Sequence, residues 1–409
     1  MVTLDEAFIQ DPFPTLAELR EAAPVHRVRF AGDDQHERWL LTRYDDAVAA
    51  LRDPRLSNDI GHDVRRLDLD REAPATLRLL VRTDQLLGPA MANRDAPDHT
   101  RLRTFFTRVF DRRRVEALRP RVEGIVDDLL GALEGTETID VVEDLARVLP
   151  IRVVCGVLDI PAENGRAFRG ASRVVAGYVP DEDTATTVID EIGSCEAYLR
   201  DLVAARRACG GGDLVSELTA LRIDGDALDD DELVASIALM IFGAYEPTAS
   251  LIGSGMLALL RHPDELAKLR ADDATIPNAV EEMLRYDGPA NPGLSRRVLD
   301  DVEIAGTTIP AGARLIVGTA SANRDPACFG DPDAFDVARA FTSPQLAFGY
   351  GAHYCLGARL ARLEVEVALR ALLRRFVSLE LAVDDSQLEW RSGFVRALSS
   401  LPVSTGRAP

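Results

Sequence analysis

The apolar positions along the chain repeat mostly with helical spacing. They predict a short helix over 16–22, helix over 100–133, and more helix from 140 to 206, broken at Gly156, Pro161 and the GYVP stretch at 177–180. A long helix opens at Asp231, with Glu232 in its first turn suiting the helix dipole. Further helices are predicted over 276–287 and 356–376. Strand-like alternation is confined to short runs. VHRVRF at 25–30 and RWLLT at 38–42 read as a hairpin around AGDDQHE. SRRVL, VEIAGTTI and ARLIVGT follow residue 294, and the tail from Val377 reads as short strands. Residues 322–352 are rich in Pro, Gly, Asp and Phe and show little periodicity. CGGGD at 209–213 reads as a flexible connector. The sum is a mainly α protein with small β-sheets. No repeat or composition break divides it, so residues 1–409 are read as one domain, against the two or three that length alone suggests.

The long predicted helix contains an anomaly. MIFGAYEPTAS at 240–250 places a carboxylate, Glu246, and a proline, Pro247, in an apolar helical stretch. Proline in a helix interior costs about 3 kcal/mol. A buried carboxylate also costs unless it is paired or hydrogen-bonded.

Composition narrows the function classes. Arginine and lysine total 47 against 67 acidic residues, a net charge of −20, which argues against a nucleic-acid binder. The basic residues are almost all arginine, with Lys268 the single lysine. No run of about 18 apolar residues stands out, and MVTLDEAFIQ lacks a secretory pattern, so no membrane partner is expected. The five cysteines are scattered and form no CxxC pair, which favours a reducing cytoplasm over disulfides or zinc.

Cys355 stands apart from the other four. It precedes a predicted helix, where the dipole and free N–H groups favour the thiolate, the form that binds metal. Taken alone, an isolated cysteine is more often a small buried hydrophobe. That reading leaves the surrounding FGYGAHYCLG at 348–357, with its glycines, phenylalanine and histidine, without a reason.

This string resembles the haem-binding loop of the cytochrome P450 family, in which a cysteine thiolate is the proximal iron ligand. The resemblance runs in order from about Asp11 to the C-terminal end. It implies a single-domain cytochrome P450 fold, with Cys355 as metal ligand and Phe348, Gly349 and Gly357 shaping the loop. Glu282 and Arg285 match the family's ExxR pair; at i and i+3 they share a helix face. DAPDHTRLR at 95–103 matches the helix that holds haem propionates, giving that role to His99 and Arg103. Arg296 and His353 match two further propionate positions. Arg339 is expected to join Glu282 and Arg285 in a network, although Ala334 stands where many relatives carry arginine.

The resemblance also accounts for the anomaly. GAYEPT aligns with the family's AG-x-[D/E]-T string, placing Gly243 and Ala244 over the haem and Glu246 on the acidic position. The family's next residue is a threonine that helps deliver protons during oxygen activation; here it is Pro247. Proline removes the N–H that would bond the Gly243 carbonyl, a bond the family fold already relaxes. Thr248 lies about 100° further round the helix and cannot simply substitute.

The implied activity is that of a monooxygenase carrying haem b, which hydroxylates or epoxidises a hydrophobic small molecule in natural-product biosynthesis. Pro247 raises a second possibility, oxidative C–C, C–N or C–O coupling or ring formation. A third reading, of another class, is a non-catalytic haem protein that binds ligand; a buried Glu246 would be idle there. Ferredoxin or flavodoxin is expected to supply electrons to a cytoplasmic monomer, docking on Arg101, Arg108, Arg112, Arg113, Arg359 and Arg362. The opposing reading is that nearby carboxylates pair these arginines. The substrate pocket is expected near 60–92, 165–185, 239–248, 290–294 and Phe394.

Overall fold

A computed structural model of the chain describes residues 1–31, 36–67, 69, 72–161, 168, 172, 174, 176, 181–391 and 393–406. They divide into two compact units. One comprises 1–56, 118–150 and 247–409; the other comprises 57–117 and 151–246.

The first unit carries most of the strands. Val25–Phe30 pairs antiparallel with Arg38–Leu41, as the alternation predicts, and parallel with Val2–Leu4. Arg38–Leu41 pairs parallel with Arg314–Val317, which in turn pairs antiparallel with Leu294–Val298. The tight hairpin Val302–Ile304 to Thr307–Ile309 turns through Ala305 and Gly306, both at positive φ (48° and 77°). Under this sheet lies a core of Leu41, Tyr44, Val298, Leu315, Phe329 and Leu346. A second sheet joins Leu379–Leu381, Pro402–Thr405 and Thr138–Asp140. The helix Ala358–Arg375 packs against Arg119–Gly131 and against Ile276–Asp287.

In the second unit, Ala75–Leu87 packs along Glu182–Cys209, and Asp98–Val109 packs against Leu214–Ala220. The expected helix over 100–133 is three helices, Asp98–Val109, Arg112–Ala117 and Arg119–Gly131. Gly156 does not break its helix, which runs Leu149–Leu158 and ends before Asp159 at φ 53°. The GYVP stretch at 177–180, most of 165–185 and much of the turn in the first hairpin lie outside the described residues.

The long helix spans Asp230–Arg261 and continues through Pro247. Its start is set by a reciprocal cap: Glu232 N–H donates to Asp229 Oδ1 (2.8 Å), and Asp229 N–H donates to Glu232 Oε2 (3.0 Å). By length and composition this helix could cross a membrane, contrary to the reading of the sequence. Yet 72% of its most apolar window is buried inside the protein, which accounts for its apolar side chains.

Candidate active site

The Cys355 loop belongs to the first unit. Gly349 and Gly351 both adopt positive φ (72° and 76°), where a side chain would be strained. Space is tight as well: a Cβ on Gly351 would sit 3.1 Å from the Leu51 carbonyl oxygen, and one on Gly349 would sit 3.2 Å from Leu294. The chain then makes a short turn, Gly351–His353, and Cys355 N–H closes the loop on the Phe348 carbonyl at 3.0 Å. Cys355 is exposed, two residues ahead of Gly357, the N-cap of Ala358–Arg375. Cys155 and Cys195, by contrast, are buried, and burial pushes their thiols up to about 11 and about 12. An exposed cysteine at the mouth of a helix, on a loop held by two glycines at positive φ, fits an iron ligand.

A brace that the sequence did not reveal supports this loop. Arg362 stacks over the Phe348 ring (4.5 Å), donates to the Tyr354 hydroxyl (3.3 Å) and forms a two-point ion pair with Glu281. Burial alone would lower the Arg362 guanidinium, but its bonds to Glu281 raise it. The partners are 81 residues apart, so no local spacing announces them.

The neighbouring Glu282 is fully buried. Its carboxylate accepts from Arg285 Nε (2.7 Å) and Nη2 (2.8 Å), from Arg339 Nε (3.0 and 3.1 Å) and from Asp336 N–H (2.9 Å). Arg285 and Arg339 also donate to one shared acceptor, the Ala334 carbonyl, each at 2.8 Å. The backbone of Ala334 therefore takes part where its side chain cannot. Arg285 reaches Asn323 and Pro332 carbonyls too, and Asn323 Oδ1 accepts from Leu346 N–H (2.7 Å), two residues before Phe348. Arg296, also in the first unit, is buried and donates to the Ser295 carbonyl (2.8 Å).

In the second unit, His99 and Arg103 lie one turn apart on Asp98–Val109, with His99 buried and Arg103 partly exposed. Burial lowers the His99 imidazole and Arg103 lowers it further, against an opposing pull from Asp95. Neutral His99 offers an N–H donor rather than a second positive charge.

The long helix has one uncovered stripe. Between Leu233 and Leu259 every residue is buried except Leu239, Met240, Gly243, Ala244 and Pro247. These recur every three to four residues and so share one face. Gly243 is exposed, with nothing within 4 Å of where a Cβ would be. An apolar stripe with a glycine notch in a buried helix fits a flat apolar group such as a porphyrin. Glu246 and Thr248, at 4% and 5% exposure, lie off the stripe, whereas Pro247 lies on it.

The expected docking arginines divide. Arg101 is paired with Asp226 and Glu232, and Arg362 with Glu281, so neither is available as surface charge. Arg108, Arg112 and Arg113 in the second unit and Arg359 in the first are exposed.

Comparison with known proteins identifies the family. The family model for cytochrome P450 matches residues 213–397. The chain is 40% identical over 408 residues to cytochrome P450 107B1 of Saccharopolyspora erythraea, covering 99% of this chain and 98% of that one. It is 41% identical over 401 residues to the 6-deoxyerythronolide B hydroxylase of the same organism, with 97% of each covered. Among solved structures, the cytochrome P450 PksS of the Bacillus subtilis 168 bacillaene polyketide synthase superposes with a TM-score of 0.87. It shares 33% identity, and 98% of both chains is covered.

Proposed function

This chain belongs to the cytochrome P450 family, as its near-full-length relatives at about two-fifths identity require, and from that premise we propose that it hydroxylates an apolar, polyketide-like natural product. The family makes it a monooxygenase with a haem-thiolate cofactor and the mainly α fold described above. The observation that carries the residue assignment is the Cys355 loop: an exposed thiol ahead of a helix, on two glycines at positive φ. The substrate class is suggested by two relatives whose names give 6-deoxyerythronolide B and a bacillaene polyketide synthase. Residues 1–409 act as one catalytic domain in this reading, supported by single-chain relatives that cover nearly all of it.

Cys355 would hold the iron of haem b, with Phe348, Gly349 and Gly357 shaping its loop. His99, Arg103, Arg296 and His353 would hold the propionates, where arginine meets a carboxylate two bonds at a time. Once bound, the haem supplies activation of molecular oxygen, using two electrons from a ferredoxin or flavodoxin and two protons. Arg108, Arg112, Arg113 and Arg359 remain available to attract an acidic electron carrier. Gly243 and Ala244 would give the cofactor room. Glu246 is the chain's own acid beside that stripe and would pass protons inward through water. Pro247 stiffens the helix there and brings no hydroxyl; Thr248, buried off the stripe, does not replace it.

That gap keeps the second reading open. In hydroxylation one oxygen atom enters the product and the other leaves as water. In coupling, two substrate C–H, N–H or O–H bonds are lost, a new bond joins the fragments, and both oxygen atoms leave as water. Two of the four hydrogens in those waters then come from the substrate and two from solvent, and a substrate N–H or O–H can stand in for the missing hydroxyl in delivering them. Turnover under ¹⁸O₂ with NADPH, a reductase and ferredoxin separates the two. One labelled oxygen in the product supports hydroxylation; an oxidised product without label overturns it in favour of coupling.

A further inference from the structure

Two glycines at positive φ give the Cys355 loop its shape but not its rigidity, because glycine has more backbone freedom to lose than any other residue. The ends of the loop meet where Cys355 N–H donates to the Phe348 carbonyl (3.0 Å). A contact from outside the loop can hold that closure in one geometry, and Arg362 touches both sides of it. Its guanidinium lies over the Phe348 ring at 4.5 Å, and its Nη1 donates to the hydroxyl of Tyr354, the residue before Cys355 (3.3 Å). The Phe348 and Tyr354 rings are themselves 6.2 Å apart and inclined at 60°.

The helix Ala358–Arg375 aims this side chain. Side chains on a helix lean towards its N-terminus, so Arg362 reaches back to the loop, and its Nη1 also donates to the Ala358 carbonyl one turn earlier (3.2 Å). Its Nε and Nη2 both go to Glu281 on Ile276–Asp287. Glu281 is held in turn by Gln345 Nε2 (3.2 Å), and beside it Glu282 is locked to Arg285 and Arg339. The guanidinium thus uses its edges on Glu281, Ala358 and Tyr354 and its face on Phe348. Lysine offers neither the flat face nor the two-point edge. Arg362 and Glu281 keep 24% and 30% of their side chains exposed, and such a pair contributes little to global stability. A ligand loop is more demanding, since a functional group must be held within about 0.5 Å of its working position.

We propose that Arg362 is a positioning residue for the Cys355 ligand: anchored by Glu281, it clamps Phe348 and Tyr354 together and keeps the sulfur in the one orientation in which it binds iron. This deepens the proposed function and rests on the assignment of Cys355 within it. The clamp acts through the two aromatic residues at the loop closure, so its loss is felt at the iron–sulfur bond before it is felt by the fold.

The test reads the ligand rather than turnover. The haem-loaded protein is reduced under carbon monoxide, and the rate at which the red-shifted thiolate band gives way to the normal band is followed at a fixed temperature. Arg362→Gln and Glu281→Gln should each speed that conversion about tenfold or more, the size expected for loss of a charge-assisted contact. Their denaturant midpoints should stay close to that of the wild type. Arg362→Lys, which keeps the charge without the stacking plane, should recover only part of the wild-type lifetime and guards against a folding defect in the glutamine variants. Arg370→Gln breaks an ion pair with Asp273 two turns further along the same helix and should convert at the wild-type rate. Wild-type rates in both Arg362→Gln and Glu281→Gln overturn the inference and leave the Cys355 assignment standing. Equal acceleration in Arg370→Gln, or a fall in denaturant midpoint that accounts for the faster conversion, makes the pair a general support of the helix and overturns it too. A wild type without the red-shifted band defeats the Cys355 assignment, and the inference falls with it.

Discussion

The Glu282 helix and the middle of the long helix both bury a carboxylate, and they place it in different surroundings. Glu282 is surrounded by donors from Arg285, Arg339 and Asp336, and each arginine is in turn tied to carbonyls. Nothing there is open to solvent or ligand. Glu246 sits instead beside an uncovered stripe, one residue from a proline that removes a helix hydrogen bond and three from a glycine facing open space. A charge held at every lone pair fixes a scaffold. A carboxyl placed beside an uncovered face and a proline is positioned for the chemistry proposed above. The same residue type is structural in one place and proposed as catalytic in the other, and its neighbours make the difference.

The comparison breaks most severely at the scaffold. Glu282→Ala leaves Arg285 buried without its anion, and losing one partner of such a pair typically costs about 3–5 kcal/mol. Denaturant unfolding should show that loss together with failure to retain haem; an ordinary midpoint would mean the network is dispensable. At the other carboxylate the fold should survive and the rate should fall. Glu246→Gln is expected to lower turnover about 10²–10⁴-fold with the melting temperature little changed. A silent variant would assign the protons to substrate or bulk water.

Pro247→Thr sharpens the contrast further. It restores the hydroxyl usual in the family, yet activity should stay level or fall, because threonine can remake the bond to the Gly243 carbonyl. A severalfold gain in coupled turnover would make the proline a handicap. The smallest effect belongs to a third buried carboxylate. Glu364 is fully enclosed on Ala358–Arg375, and burial raises its carboxyl well above the usual range. The folded state therefore keeps its proton while the unfolded chain releases it above about pH 4.5. Stability should decline as pH rises from there towards the folded value. Glu364→Gln should flatten that decline and raise stability at neutral pH; an unchanged slope would show the group ionised in the fold.

Much of this was legible in the sequence for physical reasons. The helix Ile276–Asp287 and the hairpin around Gly306 are set by local periodicity and turn chemistry, and they appear where expected. The single helix expected over 100–133 is three, because one amphipathic period persists across turns that the pattern does not register. Gly156 failed as a breaker because an isolated glycine costs a helix only about 1 kcal/mol, which packing readily offsets. At the site, residue types and close spacings exposed Cys355, the glycines and the Glu282–Arg285 pair. The Arg362–Glu281 brace joins chain segments 81 residues apart, and no local window contains it.

The account stands on Cys355 as the iron ligand. The reduced protein under carbon monoxide should show the red-shifted absorption band of a thiolate-ligated haem. Cys355→Ser should lose that band, while serine at Cys155, Cys195, Cys209 or Cys328 should leave it in place. A normal band in Cys355→Ser would contradict the assignment.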